Sequence, residues 1–302
     1  MDIFYARSAN PMLITEEKQP FDNPDFLFEL KLDGIRCLAY LGDSGTDLRN
    51  KENIALARLY PELQDIHKQV PGNIILDGEL IALEGGKPNF DKLMRRTVMS
   101  NPFKIRLAAD AAPVTFVAFD LLYQNGKELF SMPLRDRKQM LHCAVHENER
   151  LALSRITEGQ GVALFNLAQG MDLEGIVAKR ADSLYHPGKR TKDWLKIKYM
   201  QEEDFIAAGY IPKGGNIISL VLGRPGGSGL EYEGHVTMGV SREQVGRMGI
   251  STKCPFGRVP PGNEDAVWFS YMPLCTVKYM TRTNKGSLRQ PVFKGFRMGV
   301  LS

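Results

Sequence analysis

Paired cysteines are missing from this chain. Its four, Cys37, Cys143, Cys254 and Cys275, are scattered without any spacing suited to zinc or redox work, and they read as reduced thiols. No apolar run approaches membrane-spanning length. The opening Met1-Asp2-Ile3-Phe4-Tyr5-Ala6-Arg7 lacks the basic-then-apolar build of a signal peptide, so a cytoplasmic setting without membrane contact is expected. Repeats and low-complexity tracts are absent. His142 and His146 stand four apart on a predicted helix, yet no flanking acid or third ligand accompanies them, which argues against a shared metal. Acidic residues are absent from Lys278 to Arg297, where six Lys or Arg residues occur, and Lys179 to Lys198 holds seven basic residues against two acidic ones. Such clusters favour phosphate partners, with a solvated charged face as the competing explanation, and the net charge of +4 is mild.

What is present is a chain of 302 residues, 43% hydrophobic and 25% charged, which suits a soluble protein of two ordinary domains. Charges embedded in hydrophobic strands are its main peculiarity. Phe26-Leu27-Phe28-Glu29-Leu30 reads as a strand, Lys31-Leu32-Asp33-Gly34-Ile35-Arg36 carries a tight-turn Asp-Gly, and Cys37-Leu38-Ala39-Tyr40 resumes a strand, the pattern of a hairpin with a rigidly held lysine. Four similar blocks follow: Ile74 to Ile81 with Asp77-Gly78-Glu79, Phe116 to Leu122 with Phe119-Asp120, Leu173 to Arg180 with Glu174-Gly175, and Asp193 to Lys198 with Trp194. Burying a carboxylate or ammonium without partners is costly, so charges of this kind usually share a polar cleft or a metal. Each block alone fits a strand end with a solvated charge. Together they supply lysines, carboxylates, arginines and an aromatic, the parts of a nucleotide site.

Residues 26–200 alternate strands with helical stretches. Apolar spacing predicts helices from Asn53 to about His67 and from Pro133 to about His146, and Thr157 is the expected cap of another that ends at Gly170. This suits an α+β domain built on antiparallel sheets. After Lys198 the texture becomes three strands, a short helix at about Arg242 to Met248, and a further strand from Val267 to Tyr279, close to the plan of a five-stranded OB barrel. The expected domains are residues 1–200 and 201–302. Pro225-Gly226-Gly227-Ser228-Gly229 reads as a hairpin tip, either a plain turn or a DNA contact.

The ordered set KLDGIR, DGE, FD, EGIVAK and WLKIK resembles the covalent nucleotidyltransferases: ATP-dependent DNA ligases, RNA ligases and mRNA capping enzymes. The tail Leu288-Arg289-Gln290-Pro291-Val292-Phe293-Lys294-Gly295-Phe296-Arg297 is similar to the closing motif of bacterial end-joining ligases. The resemblance covers about residues 5–300 and implies an adenylation domain followed by an OB domain. It also implies an ATP-dependent ligase that seals 5′-phosphate/3′-hydroxyl nicks in duplex DNA through a lysyl-AMP and a DNA-adenylate. Lys31 would be the nucleophile, beside Asp33, and Lys196 and Lys198, on one face of a strand, would hold the α-phosphate. An uncharged amine is needed, whereas free lysine has a pKa of about 10.4; neighbouring cations and a bound metal would favour the neutral form. Glu79 and Glu174 are hard oxygen donors suited to Mg²⁺ or Mn²⁺. Phe119 would stack on adenine, with Ile176 or Val177 closing the other side. Glu29 would read the base amino group, Arg36 the ribose, and Arg49 the nick 5′-phosphate. Arg289, Lys294 and Arg297 would orient the leaving pyrophosphate. A Ku-type end-binding protein is the partner the resemblance suggests, and nothing demands more than a monomer. Capping guanylyltransferase, RNA ligase and a non-catalytic OB protein stand as alternatives.

Overall fold

The computed structural model describes residues 2–227, 229–246, 248–282 and 286–297. The chain divides into two compact units, Met1–Tyr199 and Met200–Ser302.

The first unit opens with a short helix, α1 (Ile3–Ala6), and carries strands β1 (Leu13–Glu17), β2 (Asn23–Leu30), β3 (Ile35–Gly42), β4 (Gly45–Asn50), β5 (Ile74–Glu84) and β6 (Lys87–Pro88). Helices α2 (Phe90–Thr97) and α3 (Pro102–Ala111) precede β7 (Val114–Gln124) and β8 (Lys127–Glu128). Then come α4 (Leu134–Ala144), β9 (Leu151–Leu153), β10 (Ile156–Gly159), α5 (Gly161–Gly170), β11 (Gly175–Arg180) and β12 (Arg190–Lys198). One sheet has the order β1-β12-β11-β2-β10; the other runs β4-β3-β5-β7-β8, with β6 on β5 and β9 on β7. Pairing is antiparallel except for β1 on β12 and β9 on β7, which are parallel.

Alternation along the strands divides the apolar residues into three layers. Leu27 and Trp194 of the first sheet meet Leu38, Tyr40, Ile75 and Phe119 of the second between the sheets. The opposite face of the first sheet packs Phe26, Phe28, Ile176, Ala178 and Ile197 with Ala168 of α5. The opposite face of the second packs Cys37, Ala39, Leu76 and Phe116 with residues of α2, α3 and α4. Each such side chain taken from water stabilises by about 1.5–3 kcal/mol. Both outer faces are thus covered, which leaves the polar ends of the inner faces to form a cleft.

Three local expectations fail for identifiable reasons. The stretch from Asn53 to His67 is not an α-helix but three short 3₁₀ turns, Ala57–Leu59, Pro61–Leu63 and Ile66–Gln69. Pro61 lacks the amide a continuous helix needs and collides with the preceding turn. Thr157 lies in β10, paired with Phe28, and α5 instead begins after Gln160. Asp33-Gly34 does not close a hairpin: β2 pairs with β10 and β11, whereas β3 pairs with β4 and β5, so the turn carries the chain from one sheet to the other.

The second unit is OB-like, with β13 (Gln201–Pro212), β14 (Ile218–Gly226), β15 (Gly229–Val236), α6 (Arg242–Val245), β16 (Ile250–Ser251), β17 (Val267–Phe269), β18 (Leu274–Tyr279) and β19 (Val292–Phe296). The sheet order is β15-β14-β13-β17-β16, with β18 on β13 and β19 on β18. What reads as one strand from Val267 to Tyr279 is two, β17 and β18. A register shift at Ala207/Gly209 lets β13 pair with β14 on one edge and with β18 and β17 on the other. Phe205, Leu220, Leu222, Val236, Val277 and Phe293 fill its core. Gly226 pairs with Gly229 at the glycine-rich hairpin tip; Ser228 lies outside the described residues.

Candidate active site

Lys31 stands where the chain leaves the first sheet. Its amide donates to the Gly175 carbonyl at 2.9 Å, tying the crossover to the start of β11. Three residues on, Gly34 passes so close to β5 that a Cβ there would lie 2.1 Å from the Leu80 carbonyl oxygen and 2.8 Å from Glu79 Cγ. Glycine is therefore required, and the lysine is pinned against the second sheet's edge. Gly175 plays the matching part on β11: its φ of +134° and a Cβ clash at 2.1 Å with the Ile197 carbonyl oxygen exclude other residues.

The residues around this crossover are charged and partly buried. Lys31 Nζ donates to Glu174 Oε2 at 2.7 Å, and Lys198 Nζ lies 3.9 Å from Glu174 Oε1. Burial lowers the pKa of Lys198, Lys196 and Lys31 adding to the effect and Glu174 opposing it. Lys196 pairs with Glu16 at 3.2 Å. Glu79 sits across from Arg36 in the β3–β5 register. Burial pushes the Glu79 carboxyl up to about 7; Asp77 and Glu174 raise it further, while Arg36 and Lys31 pull it down.

Behind Lys31 the inner faces enclose a pocket of about 440 Å³, counting its open mouth, lined by Glu29, Arg36, Glu79, Phe119, Val177 and Lys179 among others. At one wall the buried Glu29 carboxylate forms ion pairs with Lys138 at 2.5 Å and Lys179 at 2.9 Å. Burial opposes its charge, but the two ammoniums prevail and hold its pKa below the ordinary carboxylate value. Lys179 is itself lowered to about 8 by burial, against the pull of Glu29. Phe119 projects from a bulge: Gly78 pairs with Ala118 and Asp77 with Asp120, so Phe119 has no partner across the ladder and turns inward. Its ring contacts the Arg36 guanidinium at 4.5 Å and the Lys179 ammonium at 4.1 Å. Arg36 forks onto Asp77 with two 2.6 Å bonds, and the Tyr185 hydroxyl donates to the same carboxylate at 2.7 Å.

The structure thus brings together Glu29, Lys31, Arg36, Glu79 and Phe119 in one pocket, with Glu174 and Lys198 beside Lys31. Ile176 is not among them. It is wholly buried in the opposite layer with Phe28 and Ile197, because neighbours on a strand face opposite ways; Val177 lines the pocket instead. Asp33 lies in the crossover itself. Arg49 is on β4, outside the pocket lining, bonded to Asp47 at 3.2 Å and the Asn53 carbonyl at 3.2 Å. Arg289, Lys294 and Arg297 belong to the second unit, where Lys294 is exposed on β19 and Arg297 pairs with Asp204 at 3.0 Å. Sequence reasoning missed Lys138, Lys179, Asp77 and Tyr185 as members of the site. Lys179 and Asp77 were visible as charges within the strand blocks, but Lys138 and Tyr185 carry no local signal.

Comparison with known proteins gives the family. Residues 6–198 match the family model of the ATP dependent DNA ligase domain, and residues 213–299 that of the ATP dependent DNA ligase C terminal region. The SPbeta prophage-derived DNA ligase-like protein LigB of Bacillus subtilis is 30% identical over 96% of this chain and 99% of its own length. The multifunctional non-homologous end joining DNA repair protein LigD of Mycobacterium tuberculosis is 29% identical over 98% of this chain, which spans only 39% of that relative. Among solved structures, mycobacterial DNA ligase D complexed with ATP and MES superposes with a TM-score of 0.57 at 27% identity, covering 96% of this chain and 95% of that one. The chain therefore belongs to the ATP-dependent DNA ligase family.

Proposed function

We propose that Lys31 is the residue that becomes adenylated during nick sealing in duplex DNA. The observation that carries this reading is the placing of Lys31 at the mouth of the pocket, held by Glu174 and backed by Lys198. In the first step Lys31 Nζ, having lost a proton and left Glu174, attacks the α-phosphorus of ATP and pyrophosphate departs. A 5′-phosphate oxygen at the nick then attacks the AMP phosphorus and releases the lysine. Finally the 3′-hydroxyl attacks the 5′-phosphorus, AMP leaves, and the phosphodiester is closed.

Phosphoryl transfer demands alignment and charge placed against the phosphates. Lys196 and Lys198 present that charge to the α-phosphate. Adenine enters against Phe119 and Val177, with its amino group toward Glu29. Arg36, already forked onto Asp77, offers a fixed edge to the ribose, and Arg49 grips the 5′-phosphate. Arg289, Lys294 and Arg297 act on the β- and γ-phosphates. Alanine at each should slow self-adenylation far more than sealing by enzyme already carrying AMP; equal losses would count against a role toward pyrophosphate.

The donor set suits a divalent cation. Glu79, whose charge burial disfavours, and Glu174 are two hard carboxylates that a cation would relieve, and Mg²⁺ or Mn²⁺ is commonly held by one or two carboxylates with waters and substrate phosphates. When bound, the ion would neutralise charge on the α-phosphate.

The test is incubation with Mg²⁺ and α-labelled ATP or GTP. Acid-labile label from ATP that disappears in Lys31→Ala is expected. Label from GTP would favour a capping activity, and sealing confined to nicked RNA would favour an RNA ligase; both matched family models favour DNA. By likeness to LigD, end joining with a Ku-type protein in the cytoplasm is the setting to test.

A further inference from the structure

Glu29 is buried to 2% exposure, and Lys138 and Lys179, at 8% and 3%, converge on it from two elements. The closest approach of each ammonium is to the same oxygen, Oε1. Lys179 comes from β11 on the same strand face as Val177, which pairs with Glu29. Lys138 comes from α4, an element that lines no part of the pocket, and it reaches Glu29 from behind the pocket wall. Two cations on one carboxylate exceed what neutralisation needs, and burying the second ammonium is costly. A purely structural wall would be built more cheaply from apolar side chains.

Chemistry supplies a reason for the excess. An ionised carboxylate only accepts hydrogen bonds, whereas a protonated one also donates. A 6-amino purine donates to an acceptor, while a 6-oxo purine presents lone pairs to it and is repelled. Burial alone drives Glu29 toward the protonated form, in which it would accommodate both bases. We propose that Lys138 is a specificity-determining positioning residue, which with Lys179 keeps Glu29 an acceptor-only group and so restricts the pocket to 6-amino purine nucleotides. This inference rests on the reading of the pocket as the nucleotide site with Glu29 toward the base. The groups facing Glu29 are Lys138 from α4, Lys179 from β11 and Ser154 from the segment after β9; Asp120, held by Arg137, acts on Lys179 in turn.

The experiment compares self-adenylation of the full chain by ATP and by inosine triphosphate, which differs at the 6-position, between pH 6 and 9. Lys138→Met should lower the ATP-to-inosine ratio of kcat/KM by about tenfold or more, chiefly through a higher KM for ATP. Its ratio should climb with pH as Glu29 ionises, while the wild-type ratio stays flat. Lys138→Arg should restore wild-type behaviour, and Lys138→Gln, which keeps a donor but no charge, should behave as Met does and serves if the Met variant fails to fold. A ratio unchanged at every pH in both neutral variants, whatever happens to Tm, overturns the proposal. Glu29→Gln separates the two levels. If it leaves the ratio untouched, the base is not read at Glu29 and the pocket reading itself fails. If it shifts the ratio and the Lys138 variants do not, only the role of Lys138 is lost.

Discussion

Lys31 Nζ donates to Glu174 Oε2 at 2.7 Å, joining residues 143 positions apart. The contact fixes the amine at the mouth of the pocket, yet it also occupies it, so attack on a nucleotide requires the pair to part. Glu174 is thus both the anchor of the resting lysine and a candidate ligand for the ion that would release it.

Glu174→Gln keeps the shape of that anchor and removes its charge. Self-adenylation should fall by about 10²–10³-fold, the range typical of losing one preorganised charge from a reacting centre. The fold should survive, because the backbone bond from the Tyr199 amide to the Glu174 carbonyl is untouched. Quantifying label on Lys31 in single turnover decides it; a loss under threefold would show that the glutamate is only structural.

Gly34 offers a test of the crossover geometry. A methyl group there meets the Leu80 carbonyl and Glu79, and the chain must shift by the better part of an ångström. Misplacement on that scale costs about 10²-fold in rate, while overpacking costs roughly 1–3 kcal/mol of stability. Gly34→Ala should therefore fold and fail to adenylate. Gly170→Ala, where a Cβ has nothing within 4 Å, is the control expected to be neutral.

Glu79 gives the protein a pH signature. Its carboxyl titrates at 4.5 in an unfolded chain and at about 7 in the folded one, so the raised value favours the folded state while the group is protonated. That contribution is complete below 4.5 and is lost as pH rises through 7, a total of about 3 kcal/mol. Relative to Glu79→Gln under chelating conditions, the wild type should lose stability between those limits and run parallel above them. Urea unfolding at pH 4.5, 6, 7 and 8 measures the gap, and Mg²⁺ should narrow it at pH 8 but not at 4.5. Parallel curves throughout would remove Glu79 from the list of strained carboxylates.

The five charged strand blocks were legible because a carboxylate or ammonium inside an apolar strand demands an explanation, and a shared cleft is the economical one. The family resemblance extended that reading to roles. Partnership was not legible: nothing near Glu29 announces Lys138, and nothing near Asp77 announces Tyr185, since these pairs form only once the two sheets face each other. The choice between Ile176 and Val177 was not legible, because EGIVAK gives the strand but not which of two neighbours faces inward; the layer behind the sheet takes Ile176 and leaves Val177 to the pocket. Asp-Gly suggested a hairpin from local turn chemistry alone, whereas the partners of β2 and β3 are set by residues far along the chain. Helices α2 and α3 escaped notice between two stronger strand signals.

The FD block holds one more consequence of burial. Asp120 and Arg137 are both wholly buried and joined by two bonds, of 2.9 and 2.8 Å, with Arg137 also donating to the carbonyls of Met132 and Ser183. The pair anchors α4, and with it Lys138, beneath the bulge that carries Phe119. Removing one partner strands the other charge in the interior. Asp120→Ala should therefore cost about 3–5 kcal/mol, far more than any exposed pair in the chain. The double variant Asp120→Leu with Arg137→Met removes both charges, and should recover most of that loss while Lys138 still reaches Glu29. A double-mutant cycle by urea unfolding reads the coupling directly. Additive losses would mean that the two side chains meet without depending on each other, and that α4 is held by its apolar face alone.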